Sequence, residues 1–389
     1  MSKRVGIEVS LAAAEAVAQA NVDVVAAYPI TPQTHVVEHL AELVAEGRLK
    51  AQYVAVESEH SAISACMGAS AAGGRTFTST ASQGLALMHE ILFIASSLRL
   101  PIVMLVANRA LSAPINIWAD HSDIMPQRDT GWVQIFAENG QEVYDLTLMS
   151  FKIAEDPRVL LPTLVSMDGF TLSHVIEPVV MQDQAAVDRF LPACAIPNRL
   201  DPETPRTIGP FGDGGVYSEV RLAQEMALAD SATVFAQVAD EFGRSFGNRY
   251  QAIETHRCED AETIIVSMGS VGETARTAVD EMRAEGQKVG QLSIRLWRPF
   301  PLEAFRAAAA PAKRLAILDR HLIPGGLGGP IGLEARAAFY RAGGPEIADF
   351  VAGLGGRGIS RATFKEMVAR TQAGAAATSN YTFLDARLS

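Results

Sequence analysis

The sequence predicts an α/β protein: a doubly wound, mostly parallel sheet followed by a second α/β unit. Three observations carry that expectation. Helix-like and strand-like segments alternate through the first half, with short turns between them. The run at 102–106, IVMLV, is apolar on both faces, as a strand covered by helices on both sides must be. After a stretch rich in Pro and Gly, the alternation resumes near residue 261.

Taken in order, residues 8–20 read as an Ala-rich amphipathic helix, and 22–28 (VDVVAAY) as a short buried strand ended by Pro29. A helix over 35–46 and a strand over 52–56 follow. The small-residue helix 58–72 stops at Gly73 and Gly74, which favour a helix end. Next come a strand at 76–80, a helix at 84–98 and the apolar strand. A helix at 145–154 and a strand at 164–167 complete the first unit, 1–182. Residues 183–260 read as a Pro/Gly-rich connector with one helix near 218–228. The second unit, 261–372, is expected to hold strands at 263–267, 289–296, 315–318 and 347–351, with helices at 272–285, 302–309, 331–340 and 361–370. The tail, 373–389, shows no periodicity and is expected to clamp a neighbour or stay loose.

Composition narrows the function. The 389 residues carry 33 Lys and Arg against 44 Asp and Glu, a net charge of −11. No basic block offsets that acidity, which argues against nucleic acid as a partner. With 48% hydrophobic residues the chain can bury a sizeable core. Carboxylates at Glu8 and Glu15 exclude a secretory h-region near the N-terminus. The most apolar stretch, 90–107, is broken by Ser96, Ser97, Arg99 and Pro101, so no membrane span and a cytoplasmic location are expected. Cys66, Cys194 and Cys258 stand too far apart in sequence to make a metal or cluster motif.

The local motifs have modest readings when taken singly. Gly353 to Gly358 spells GxGxxG, yet only 31 residues remain after it, so a tight strand-to-helix turn is expected. Gly325 to Gly329 reads as a turn or interface loop whose backbone could approach a phosphate. Tyr28-Pro29-Ile30-Thr31-Pro32 ends the first strand; Thr31 can point into a crevice, or Thr31 or Thr34 can cap the next helix. Glu57-Ser58-Glu59-His60 opens a helix of small residues, so one of its carboxylates could be buried and in need of a partner. Arg109 ends the apolar strand and could hold a substrate carboxylate, or pair with Asp120 or Asp123. Asp120-His121-Ser122-Asp123 reads as a hydrogen-bonded loop before a metal site.

Jointly these segments resemble one family, the alpha subunit of 2-oxoacid:ferredoxin oxidoreductases, including pyruvate, branched-chain and phenylglyoxylate members. The resemblance rests on YPITPQT (28–34), ESEHSAISACMGAS (57–70), TFTSTASQGLALM (76–88), NRALSAPINIWADHSDIM (108–125) and RDTGW (128–132). IIVSMGS, IRLWRPFP and AILDR continue it in the second unit. It implies a pyrimidine-binding domain of the thiamine diphosphate type, then a domain similar to the transketolase C-terminal domain.

The resemblance also implies roles. Glu59, rather than Glu57, is similar in position to the glutamate that shares a proton with the cofactor's aminopyrimidine. Thr31 matches the residue that hydrogen-bonds the 2-oxoacid, and Arg109 the arginine that pairs with its carboxylate. Asn108 is expected in the substrate pocket, with Pro29 and Gln83 beside the cofactor. The activity implied is oxidative decarboxylation of a 2-oxoacid, such as pyruvate, with coenzyme A to acyl-CoA and carbon dioxide. Thiamine diphosphate would be shared with a beta subunit. Mg2+ and 4Fe–4S clusters would belong to partner subunits of beta, gamma and delta type, none ligated by this chain. Ferredoxin, another low-potential acceptor, or NAD through a flavin subunit would receive the electrons. Three rival readings remain at this stage. One is a scaffold subunit without catalysis. The second is a transketolase-type enzyme, whose diphosphate-binding GDG…N segment is expected to be missing here. The third is an NAD dehydrogenase resting on Gly353 to Gly358 alone.

Overall fold

Strands and helices alternate from the start of the chain, and a computed structural model describes residues 2–386. The last residues of the expected tail, 387–389, lie outside the described residues. The first unit runs β1 (Lys3–Glu8), α1 (Val9–Gln19), β2 (Val24–Ala27), α2 (Thr34–Ala45), β3 (Gln52–Ala55), α3 (Glu59–Ala71), β4 (Thr76–Thr80), α4 (Ser82–Ser97) and β5 (Ile102–Asn108). A long loop leads to β6 (Val133–Phe136), α5 (Gly140–Glu155), β7 (Thr163–Asp168), β8 (Ile176–Met181) and α6 (Gln184–Phe190). The chain continues through α7 (Tyr217–Phe246), β9 (Ile253–His256), β10 (Thr263–Ser267), α8 (Val271–Ala284), β11 (Val289–Ile294) and β12 (Leu296–Arg298). It closes with α9 (Leu302–Ala309), β13 (Arg314–Asp319), α10 (Pro330–Phe339), β14 (Glu346–Val351), α11 (Arg361–Gln372), α12 (Ala375–Thr378) and β15 (Thr382–Phe383).

The larger sheet has the order β12-β6-β7-β5-β4-β2-β3. Every neighbouring pair in it is parallel except β12 against β6. All seven residues of β5 are buried, as its apolar sequence requires. On one face Ala12, Ala13 and Ala16 of α1 are fully buried, and their small side chains let α1 pack closely on α5. On the other face α3, made of Ala, Ser and Gly, packs on α4 and β2. The second sheet has the order β15-β14-β13-β10-β11-β9, parallel except for β9. One hydrophobic cluster reaches from Ile63 and Leu85 through Trp132 to Trp297 and Ile317, so the core is continuous between the sheets.

Several elements differ from the sequence expectation. The chain opens with β1, paired antiparallel to β8, and the first helix starts only at Val9. The stretch 183–260 holds far more than one short helix: α7 has 30 residues. Its buried positions Ala227, Ser231, Val234, Phe235, Val238 and Phe242 follow the 3.6-residue period and pack against the core under α5. The run expected as one strand at 289–296 breaks at Arg295. That arginine is buried and held by Glu142 and Glu254, each at 2.6 Å. Beyond it, β12 leaves the second sheet and becomes the edge of the first. In the described part of the tail, β15 extends its own sheet beside β14. Among the described residues no helix is long and apolar enough to cross a membrane.

Candidate functional site

In a parallel sheet, functional residues collect where strands end and loops begin. Here the carboxyl ends of β3, β2, β4 and β5, adjacent in the sheet, carry the expected site residues. The loop after β2 is fixed from below. Gln33 donates from Nε2 to the Tyr28 carbonyl at 2.8 Å, and its Oε1 accepts from Ser79 Oγ of β4 at 2.9 Å. Pro29 and Thr31 stand exposed on this anchored loop. Neither Thr31 nor Thr34 caps α2, whose N-cap position is Gln33. Among the described residues no hydrogen bond reaches the Thr31 hydroxyl.

Asn108 and Arg109 leave β5 opposite this loop. The Arg109 guanidinium donates from Nη1 to the Thr31 carbonyl at 3.0 Å and from Nε to the Asn116 carbonyl at 2.7 Å. Although Arg109 is only 8% exposed, it makes no ion pair with Asp120 or Asp123. Its charge therefore faces carbonyl oxygens, and Nη2 stays open among the described residues. Asp123 instead accepts the Arg109 and Ser82 backbone N–H groups at 2.9 and 3.0 Å, and Asn108 Nδ2 at 3.1 Å. Burial pushes its carboxyl up to about 7, against the pull of those donors. Asn108 Oδ1 accepts from Ser166 Oγ at 2.5 Å, so both ends of its amide are engaged. Ser82 Oγ lies 2.7 Å from the Ala110 carbonyl and 2.5 Å from Gln83 Oε1, with one proton to give. Gly169 closes the arrangement by donating to the Asn108 carbonyl at 3.0 Å. A Cβ there would sit 2.5 Å from Pro32 Cγ, so only glycine lets the two loops meet.

Glu59 is the first residue of α3, set by the Ser58 cap, whose Oγ accepts the Ser61 N–H at 3.2 Å. It is 7% exposed, and among the described residues no hydrogen bond or ion pair reaches it. Its neighbour in the sequence motif, Glu57, is exposed and accepts from Ser61 Oγ at 2.6 Å. Gly84 opens the space for Glu59. A Cβ at Gly84 would lie 2.6 Å from Glu59 Oε1 and 2.5 Å from Thr80 Oγ1. Among the described residues Thr80 Oγ1 is also buried without a partner. A buried carboxylate and hydroxyl with no protein partner are costly, and they suit a polar group arriving from outside the chain. The ring nitrogen of an aminopyrimidine is such a group. The residues present fit it.

The structure thus gathers Thr31, Arg109, Asn108, Gln83 and Glu59 on one edge of the sheet, with Pro29 exposed beside Thr31. Sequence reasoning missed Ser82 and Gly169, and had Asp123 only as a possible ion-pair partner of Arg109; these three residues fix the two loops to each other. The glycines at 325–329 do approach acids, but this chain's own. Gly329 N–H donates to Asp349, and Ile331 and Gly332 N–H groups donate to Asp319, all at 2.9–3.0 Å. Those donors are taken. The triplet GDG, expected to be missing, does occur at 212–214. No strand leads into it, and it forms an exposed turn in which Asp213 Oδ1 accepts the Gly215 N–H at 2.8 Å. Asp120 and Ser122 form the expected hydrogen-bonded loop at 2.6 Å, while His121 turns away to lie 3.4 Å from Asp168.

Such an edge, on a doubly wound sheet followed by a smaller α/β unit, has the architecture of the thiamine diphosphate enzymes. The fold is similar to that of a 2-oxoglutarate:ferredoxin oxidoreductase from Magnetococcus marinus, with a TM-score of 0.72 at 20% identity. That match covers 95% of this chain and 65% of the other. A split-gene transketolase is similar over 95% of this chain and 99% of its own, with a TM-score of 0.54 at 11% identity. The chain belongs to the pyruvate flavodoxin/ferredoxin oxidoreductase family. Residues 15–240 match its thiamine diphosphate-binding domain, and 261–364 match core domain II of pyruvate:ferredoxin oxidoreductase. The pyruvate synthase subunit PorA of Methanothermobacter thermautotrophicus is 48% identical over 94% of both chains. The ketoisovalerate oxidoreductase subunit VorA of Pyrococcus horikoshii is 46% identical over 89% of this chain and 88% of its own.

Proposed function

We propose that this chain is the alpha subunit of a 2-oxoacid oxidoreductase complex, that it binds the pyrimidine half of thiamine diphosphate, and that it clamps a small 2-oxoacid, pyruvate first among them. The observation that carries the reading is the pairing of the open Arg109–Thr31 edge with the buried, partnerless Glu59. When bound, thiamine diphosphate supplies the carbon nucleophile and electron sink that a 2-oxoacid needs to lose carbon dioxide.

This chain's residues do the rest of what can be assigned to it. Arg109 offers its open Nη2 and its charge to the substrate carboxylate, a charge-assisted bond stronger than a neutral one. Thr31 holds its hydroxyl beside that group as a donor to an oxoacid oxygen. Glu59 keeps a proton at its carboxyl oxygen, shared with the pyrimidine ring nitrogen, in a pocket closed by Gly84 and Thr80. Asp123 holds Asn108 and Arg109 at the strand end, while Pro29 and Gln83 line the approach.

The remaining chemistry falls to partners. Cys66 and Cys258 are buried thiols bonded to the Phe77 and Gln291 carbonyls, and burial pushes them up to about 12 and about 11. Among the described residues no group of three His, Cys, Asp or Glu side chains could hold a metal ion. In the division proposed here, beta-, gamma- and delta-type subunits carry the diphosphate, Mg2+ and iron–sulfur clusters. Coenzyme A takes the acyl group, and ferredoxin or a similar low-potential carrier takes the electrons. Purifying the native complex and assaying acyl-CoA formation with a viologen dye tests the reading. Turnover with pyruvate above 2-oxoisovalerate, phenylglyoxylate and 2-oxoglutarate is expected. No turnover with any 2-oxoacid would overturn it.

A further inference from the structure

The glycine turn after β14 touches the substrate edge of the first unit. Asn116 Nδ2 donates to the Gly355 carbonyl at 3.0 Å, and the Gly355 N–H donates to Asp120 Oδ2 at 2.8 Å. There is no room between the two segments. A Cβ on Gly356 would lie 2.2 Å from Trp118 Cβ, and one on Gly355 would lie 2.6 Å from Asn116 Nδ2. The turn also needs glycine for its backbone, with φ of +75°, +60° and +78° at Gly353, Gly355 and Gly356.

What this turn seats is the loop that orients Arg109. The Asn116 carbonyl accepts Arg109 Nε at 2.7 Å, and Asn116 Oδ1 accepts the Trp118 N–H at 2.7 Å. A second tether comes from the end of β13. Arg320 donates from Nη2 to the Ala119 carbonyl at 2.8 Å, and its Nη1 is anchored on Asp168 at 2.5 Å. Arg109 therefore rests on two carbonyl oxygens of different origin. Thr31 O is fixed by the first unit, and Asn116 O is fixed by the second. A charged hydrogen bond weakens steeply with angle, so the second acceptor sets how squarely Nη2 meets a ligand.

We propose that Asn116 and the turn 353–356 are positioning residues for 2-oxoacid recognition, so that the second unit takes part in holding a substrate it does not touch. The inference rests on the reading that Arg109 binds the substrate carboxylate. The test is steady-state kinetics on the assembled complex carrying Asn116→Ala or Gly356→Ala. Gly358→Ala serves as the control, since no atom lies within 4 Å of a Cβ there and its φ is not positive. Both variants are expected to raise KM for the 2-oxoacid roughly tenfold, with kcat and thiamine diphosphate affinity held within about twofold. Gly358→Ala is expected to leave KM in place. An unchanged KM in Asn116→Ala overturns the proposal, as does a KM rise matched by losses in kcat and cofactor affinity. If Gly356→Ala prevents assembly, Asn116→Ala decides alone. Arg109→Ala separates the two levels. If it leaves KM unchanged, the carboxylate reading itself fails; if it raises KM while Asn116→Ala does not, only the positioning role fails.

Discussion

Arg109 Nη1 donates a 3.0 Å hydrogen bond to the Thr31 carbonyl, joining the loop after β5 to the loop after β2 across the end of β4. The bond uses the backbone of Thr31 and leaves its hydroxyl free.

If Arg109 binds the substrate carboxylate as proposed, removing the guanidinium takes away that charged partner. Arg109→Ala is expected to raise KM for the 2-oxoacid by about 10- to 100-fold, with a smaller change in kcat. Arg109→Lys keeps the charge but cannot reach both carbonyls with a planar fork, so its KM should fall between the two. Initial-rate measurements over a range of oxoacid concentration check this, and equal KM values for all three proteins would move Arg109 out of the pocket.

Glu59→Gln keeps the shape and removes the carboxyl that the proposed function assigns to sharing a proton with the pyrimidine. We expect kcat for decarboxylation to fall by at least about 100-fold while the complex still assembles. Carbon dioxide release, measured beside size-exclusion chromatography, distinguishes loss of chemistry from loss of assembly. Normal turnover would remove Glu59 from the mechanism.

Gly84→Ala attacks the same group by steric means. The added Cβ would meet Glu59 Oε1 at 2.6 Å and Thr80 Oγ1 at 2.5 Å, so the carboxylate must move. The expected result is at least a tenfold drop in kcat, roughly one hydrogen bond's worth, with KM for the oxoacid little changed because Arg109 is untouched. A KM effect without a kcat effect would contradict the placement of Glu59.

The acids beneath the 325–329 loop predict a pH effect on stability. Burial, and then the charge of Asp349, hold the Asp319 carboxyl well above the usual range; burial raises Asp349 to about 6. In the unfolded chain both titrate near ~4. The folded chain therefore binds more protons between these limits, and stability falls as pH rises through about 6. Asp349→Asn, which keeps an acceptor for the Gly329 N–H, should lose less melting temperature between about pH 5 and 7.5. Thermal unfolding of both proteins at matched ionic strength decides it, and identical slopes would acquit the pair.

Much of this was legible in the sequence because the signals were local. The helix 302–309 falls where its apolar period puts it, and the strand 76–80 follows the helix stop at Gly73 and Gly74. The glycine turn at 353–358 does end a strand ahead of a helix. What escaped depends on distant partners. The strands β6 and β9 have four residues each, too short for a period to show. The long helix α7 hides its buried stripe behind an exposed face carrying Leu222 and Met226, so composition there resembles a linker. Asp123 looks like one more loop acid until folding brings Ser82 and Asn108 against it. Glu59 could be chosen over Glu57 only by family resemblance, since both stand at the start of the same helix and only tertiary packing buries one of them.

The excursion of β12 into the first sheet has a consequence for how the chain is made. Until Leu296 to Arg298 have been synthesised, β6 presents an open strand edge, ready to pair with any other extended segment. Folding during translation usually lets an N-terminal unit finish before the next one appears. Here the first unit must wait for more than a hundred further residues, so a nascent chain is at its most adhesive late in synthesis, and an early release or a gene break near residue 260 leaves that edge bare.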